Sequence, residues 1–250
     1  MAAPVPPTAP PRGPATAGRG ARAAAWAVHF YTASGAILAL AAVAATARGD
    51  ARQAFLWLAA QVFVDSTDGW LARFTRVKER APSIDGARLD DIVDYLTYVF
   101  VPAWMVIRFA LVPEGAAWAV AGAVLLSSAL GFSREDAKTS DHYFTGFPSY
   151  WNVVVLYFVL LGTSQRVNAV ILLGLAALVF VPIRYVYPSR TVTLRPLTVA
   201  LGALWATALL AALLGSPPAS RRLAWASLLF PAYYFVLSLA LDARRRARAA

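Results

Sequence analysis

Eight apolar runs, each near the length a helix needs to cross a bilayer, succeed one another along the chain with short polar breaks between them. They lie at 24–47, 53–73, 86–110, 116–132, 148–163, 167–187, 194–214 and 223–241. A spanning helix takes about 20 predominantly apolar residues, with a lower bound near 17. The fourth and fifth runs are the shortest. Composition points the same way: 59% of residues are apolar and 14% charged, against roughly 45–50% and about 25% in soluble domains. The excess needs lipid as its solvent, and no polar stretch is long enough to make a separate soluble unit. The expected fold is all-α, a polytopic integral membrane bundle of about eight transmembrane helices occupying 23–242.

The Pro-, Ala- and Gly-rich residues 1–22, with Arg12, Arg19 and Arg22, cannot bury enough apolar surface to order themselves. They read as a disordered cytoplasmic tail, and 243–250 reads as a basic cytoplasmic tail. The run at 24–47 has the length of a spanning helix rather than of a signal core, so it is expected to be retained. With an even number of crossings and the amino terminus inside, seventeen of the 23 Lys and Arg residues fall on inner segments, among them Arg73, Arg76, Lys78, Arg80, Arg134, Lys138, Arg184 and Arg244–Arg246. Six fall outside: Arg48, Arg52, Arg108, Arg166, Arg221 and Arg222. That bias puts both termini in the cytoplasm. The formal charge of +10 then reads as basic loops against anionic lipid rather than as a nucleic-acid surface. With no cysteine, disulfides, thiolate metal sites and cysteine nucleophiles are excluded.

Acids are scarce, which makes their placement informative. Seven of thirteen lie between positions 65 and 94: Asp65, Asp68, Glu79, Asp85, Asp90, Asp91 and Asp94. Ionisable groups in spanning helices are costly unless paired or metal-bound and mark functional sites by default. Asp65, Asp68, Gly69 and Ala72 share one helix face, and Gly86, Asp90 and Asp94 share one face of the next. Four carboxylates brought together across a hairpin repel one another, so a divalent cation is their natural partner. An all-oxygen set suits Mg²⁺ or Mn²⁺, while two histidines and no cysteine argue against zinc. Gly69, Ala72 and Gly86 leave room on the same faces for a flat ligand, and Arg73 supplies a guanidinium for a phosphate. Asp85 and Asp91 fall off these faces, and Arg76, Lys78 and Arg80 serve at least as topology markers.

Asp65-Ser66-Thr67-Asp68-Gly69-Trp70-Leu71-Ala72-Arg73, then twelve residues, then Gly86-Ala87-Arg88-Leu89-Asp90-Asp91-Ile92-Val93-Asp94 resembles the D-x-x-D-G-x-x-A-R…G-x-x-x-D-x-x-x-D motif of CDP-alcohol phosphatidyltransferases. The long spacer, the run from Leu89 to Pro102 and the stretch Asp141–Asn152 are similar to the bacterial members whose acceptor is choline. The resemblance implies that family's fold, a location in the bacterial inner membrane with a cytoplasmic active site, and transfer of the phosphatidyl group of CDP-diacylglycerol to choline with release of CMP. It implies that Asp65, Asp68, Asp90 and Asp94 hold a pair of divalent ions, that Asp94 also takes the proton of the incoming hydroxyl, and that Gly69, Ala72, Arg73 and Gly86 line the CDP pocket.

A quaternary ammonium has no N–H to donate and is recognised by aromatic faces. Tyr95 and Tyr98 beside the catalytic acid, and Tyr150 and Trp151 in the next inner loop, are the expected choline contacts; an interfacial aromatic belt is the competing reading of the loop aromatics. His142 is weighed as a neighbour of the site, and His29 as a packed polar residue of an apolar helix. A rival acceptor, serine, glycerol 3-phosphate or inositol, would call on Arg134, Lys138 or Arg184. A cation transporter is the alternative from another class, though it predicts acids spread through several helices. The sequence is compatible with a homodimer.

Overall fold

A computed structural model describes residues 18–137, 139, 143–188 and 190–249, with side chains through 247. Most of the expected amino-terminal tail, Lys138, Asp141, His142 and the Arg248 side chain lie outside the described residues. The helices are α1 (Arg19–Ala47), α2 (Ala51–Phe74), the short α3 (Val77–Arg80), α4 (Gly86–Asp94), α5 (Val101–Arg108), α6 (Ala117–Phe132), α7 (Trp151–Leu161), α8 (Gln165–Leu178), α9 (Arg195–Leu214), α10 (Pro217–Ser227) and α11 (Leu229–Ala249). Helix thus occupies every one of the eight apolar runs. Glu114–Phe132, α1, α9 and the α10–α11 column are long and apolar enough to cross a membrane by length and composition, while α7 and α8 are shorter apolar helices. Phe30, Ile37, Leu40, Phe63, Trp118, Leu126, Val170 and Leu204 stand exposed on their outer faces. Apolar side chains spread over that many outer faces require hydrocarbon around them, and the chain is a polytopic membrane helix bundle.

Several boundaries differ from expectation, each for a local reason. Helix α1 starts at Arg19 and α11 runs through Ala249, so Arg19–Arg22 and most of 243–250 are helical rather than tail. Asp50 caps α2 by accepting from the Gln53 amide, and Asp85 caps α4 by accepting from the amides of Ala87 and Arg88, which is the Ncap role short acidic side chains serve best. Asp85 is therefore a helix cap. The helix begun at Gly86 continues to Arg108 through a π-turn at Tyr95–Phe100. Pro102 has no amide hydrogen and its ring crowds the carbonyl four residues back, so the ladder widens just before it.

The run at 167–187 does not remain helical to its end. Helix α8 stops at Leu178, and Arg184–Val186 pairs antiparallel with Tyr143–Thr145 as strands β2 and β1, in the register Phe144 opposite Tyr185. The Phe147 amide donates to the terminal Leu178 carbonyl (3.0 Å), satisfying a carbonyl that a helix end leaves orphaned, and the Gly146 amide donates to the Ile183 carbonyl beyond it (2.9 Å). Gly146 sits at φ +82°, and a Cβ there would lie 2.1 Å from the Val179 carbonyl oxygen. Gly146→Ala is expected to cost about 2–3 kcal/mol from the clash and the left-handed backbone, read as a lower thermal midpoint in detergent.

One end of the bundle gathers the start of α1, where Ala25 and Val28 pack on Val77 and Ala81, the paired strands β1 and β2, and the end of α11, where Arg246 donates to Asp242 and to the Pro182 carbonyl. The acids lie at this end. The opposite end is tied by Arg108 to the Ala47 carbonyl, Arg52 to the Leu214 carbonyl and Gln165 to the Ala110 carbonyl.

Candidate active site

Carboxylate oxygens of Asp65, Asp68 and Asp90 lie within 4.8 Å of one another. Asp65 and Asp68 stand one turn apart on α2, and Asp90 reaches them from α4, so a hairpin of two helices is enough to build the cluster. Asp68 is buried, and Thr32 of α1 donates a 2.7 Å hydrogen bond to its Oδ2. Tyr98 donates to Asp65 Oδ2 at 2.8 Å. Three hard anionic donors in so small a volume suit Mg²⁺ or Mn²⁺ by donor chemistry and by the charge they would otherwise leave opposed. Asp94, expected as a fourth ligand, stands one turn beyond Asp90, outside this compact trio, and with Asp65 and Asp90 lines the cavity next to it.

That cavity encloses about 330 Å³, between the acidic faces of α2 and α4, the end of α6 and the loop leading into α7. Asp65, Asp90, Asp91 and Asp94 form one wall; Tyr98, Phe144, Tyr150 and Tyr187 contribute aromatic rings to the others. Tyr98 and Tyr150 have ring centroids 6.2 Å apart, and Phe144 stacks on Tyr187 at 4.6 Å. Asp91, placed off the acidic face by sequence, reaches the cavity, and Glu135 joins it from the loop after α6. Arg134 is the one basic residue among the described lining, and both of its donated bonds to Asp136 measure 2.8 Å. That hydrogen bond holds the exposed Asp136 carboxyl below the usual range and commits the guanidinium.

Of the four aromatics expected at choline, two face the cavity and two do not. Tyr95 turns to α6, donating to the Leu125 carbonyl (3.0 Å) and packing edge-on against Phe132. Successive helical residues point about 100° apart, so Tyr98, four after Asp94, returns to its face while Tyr95 cannot. Trp151 is wholly buried, its indole N–H donating to Ser128 Oγ (2.7 Å). Ser149, held at φ +56°, also bonds Ser128 and lines the cavity. Phe144, one of the loop aromatics expected near choline, lines the cavity as well. Tyr187 is the cavity residue that sequence reasoning missed, because the pairing of β1 with β2 brings it to Phe144 across more than forty residues.

The expected nucleotide residues lie away from the aromatic cavity. Gly69 sits against the Arg73 guanidinium, where a Cβ would be 3.4 Å from Nη1, and Gly86 faces the His29 ring, 3.5 Å from such a Cβ. Ala72 packs on the small cluster of Ala25, Val28, Val77 and Ala81. His29, buried on α1 and 3.5 Å from the Ala81 carbonyl, thus adjoins the glycine expected in the CDP pocket.

Arg184 is not among the cavity lining; it borders a separate recess with Asp136, Asp242, Arg245 and Arg246. No protein-family model matches the chain. It is 42% identical over 184 residues to the phosphatidylcholine synthase of Pseudomonas aeruginosa, covering 74% of this chain and 77% of that one. It is 43% identical over 168 residues to that of Legionella pneumophila, covering 67% and 66%, and 38% identical over 175 residues to that of Borreliella burgdorferi, covering 70% and 75%.

Proposed function

Because the chain belongs to the phosphatidylcholine synthase family, we propose that it transfers the phosphatidyl group of CDP-diacylglycerol to choline and releases CMP. The observation that carries the choice of acceptor is the cavity wall. Asp65, Asp90, Asp91, Asp94 and Glu135 face it together with Tyr98, Phe144, Tyr150 and Tyr187, and the one basic residue among the described lining, Arg134, is paired with Asp136. A permanent cation without donors fits negative charge and π-faces, whereas the phosphate of glycerol 3-phosphate or the carboxylate of serine would meet the acids.

Asp94 accepts the choline hydroxyl proton as the oxygen forms its bond to the lipid-side phosphorus, and the bond from that phosphorus to the CMP oxygen breaks. The products are phosphatidylcholine, CMP and the proton on Asp94, which leaves to solvent. Asp65, Asp68 and Asp90 would hold Mn²⁺ or Mg²⁺, which would supply neutralisation of the diphosphate and of the charge developing on the departing CMP. Arg73 adds a fixed cation for the phosphates, and Gly69, Ala72 and Gly86 leave space for the nucleotide. Positioning and electrostatics supply most of the acceleration in such transfers.

The proposal includes placement in the bacterial inner membrane with both termini and the cavity on the cytoplasmic side; Arg73, Arg76, Lys78, Arg80 and Arg88 flanking the acids, against Arg48, Arg52 and Arg108 at the other end, support that orientation. Purified protein given CDP-diacylglycerol, Mn²⁺ and one alcohol at a time is expected to release CMP with choline. Product with serine or glycerol 3-phosphate and none with choline would overturn the proposal. Within it, Tyr150→Ala is expected to raise the KM for choline about tenfold or more, the size of a desolvated cation–π contact. Trp151→Phe should leave that KM within about twofold and lower the thermal midpoint, since it removes a buried hydrogen bond outside the cavity.

A further inference from the structure

The three carboxylates come from α2 and α4, yet the most buried of them is anchored by α1. We infer that Thr32 is a positioning residue for the metal site, fixing the rotation of the Asp68 carboxylate; the inference rests on the reading that Asp65, Asp68 and Asp90 hold a divalent ion. Thr32 and Asp68 are both buried, at 8% and 7% exposure, and the 2.7 Å bond from Thr32 Oγ1 to Asp68 Oδ2 joins residues 36 apart in sequence. A carboxylate turns freely about its last torsion unless a partner holds it. With Oδ2 committed to the hydroxyl, the plane of the group is set, and so is the direction its remaining lone pairs face. Partners behind a ligand of this kind orient it, and their loss typically lowers metal affinity or activity 10- to 100-fold.

Two further contacts hold α1 in register with that bond. Tyr31 and Thr67 share a 2.8 Å hydroxyl hydrogen bond one residue before Thr32 and Asp68 on each helix. At Gly35, one turn on, a Cβ would lie 2.3 Å from Gln61 Oε1 and 2.5 Å from Val93 Cγ1, so only glycine lets α1 approach α2 and α4 this closely. Gln61 is buried, leaving its amide no room to swing aside. The helix that supplies none of the acids therefore acts as the backing of the site.

Manganese binding by the full-length protein in lipid nanodiscs, followed by the free Mn²⁺ electron paramagnetic resonance signal, tests this directly. Thr32→Val keeps the side-chain shape and removes the donor; it is expected to raise the Mn²⁺ Kd 10- to 100-fold and the Mn²⁺ concentration for half-maximal CMP release in step, with most of kcat recovered at saturating Mn²⁺. Thr32→Ser restores the hydroxyl and should bind within about threefold of the parent. Tyr31→Phe loosens the same helix pair without touching Asp68 and should bind within about twofold. Should the valine variant not purify, Thr32→Ala carries the same comparison.

Parental Mn²⁺ affinity in Thr32→Val, or equal weakening in Thr32→Val, Thr32→Ser and Tyr31→Phe, would overturn the inference and leave a packing role. Asp68→Asn keeps the two failures apart. If Asp68→Asn loses Mn²⁺ while Thr32→Val keeps it, only the positioning role falls. If the parent and Asp68→Asn bind Mn²⁺ alike, the metal reading falls and takes this one with it.

Discussion

Asp94→Asn is expected to lower kcat for choline-dependent CMP release about a thousandfold while leaving the Mn²⁺ Kd within about threefold of the parent. The substitution is nearly isosteric and removes only the capacity to accept a proton. At neutral pH an alcohol is almost wholly protonated, and a positioned base contributes about 10²- to 10⁴-fold. Asp94 lines the aromatic cavity, whereas the compact trio of carboxylates is Asp65, Asp68 and Asp90. The two readouts therefore separate a proton acceptor from a ligand. A fall in kcat matched by an equal loss of Mn²⁺ affinity would assign Asp94 to the metal instead, as the motif resemblance also implies.

The acids were legible in the sequence because each pair sits on one helix, where spacings of three and four residues put side chains on one face. Their concentration at one end also separated an enzyme from a transporter, which needs charge along its path. Asp85 and Asp91 show the limit of face counting. Both lie one position off the face, yet Asp85 ends as a cap whose oxygen takes two amides, and Asp91 reaches the cavity. Whether an off-face residue meets solvent or a cavity is decided by what packs opposite, here the loop after α6.

The part that α1 plays behind the acids was not legible as a function. His29, Thr32 and Gly35 recur every three residues on a mostly apolar helix, and that row of two polar residues and a glycine is the signal that was present. Nothing local in it names Asp68 or Gly86 as partners, since those contacts close over dozens of residues. The pairing of β1 with β2 was hidden for a similar reason. Apolar β-branched and aromatic residues at 179–187 extend a helical run in composition, and only Pro182 hints at a break. The outcome depends on Phe147 reaching the last α8 carbonyl, and Gly146 the Ile183 carbonyl, from another part of the chain.

Asp90→Asn is expected to lower CMP release at least a thousandfold, comparable with exhaustive chelation of the parent, because a bound divalent ion supplies several kcal/mol to such a transition state and each ~1.4 kcal/mol is tenfold in rate. Stability should move in the opposite direction under chelation. Three carboxylates with oxygens within 4.8 Å repel one another when no cation lies between them, so the chelated parent is less stable than chelated Asp90→Asn, which carries one charge fewer. Adding Mn²⁺ reverses the order: at about 100 times the Kd, binding stabilises the parent by about 2.7 kcal/mol, while the variant gains little. The thermal midpoints measured with chelator and with Mn²⁺ should therefore cross. Equal Mn²⁺-induced rises in both proteins would place the ion elsewhere. The double variant Asp65→Asn, Asp90→Asn should be no slower than either single one, since residues that act as one unit are not additive, and a further large loss in the double variant would mean that the two acids work at separate sites.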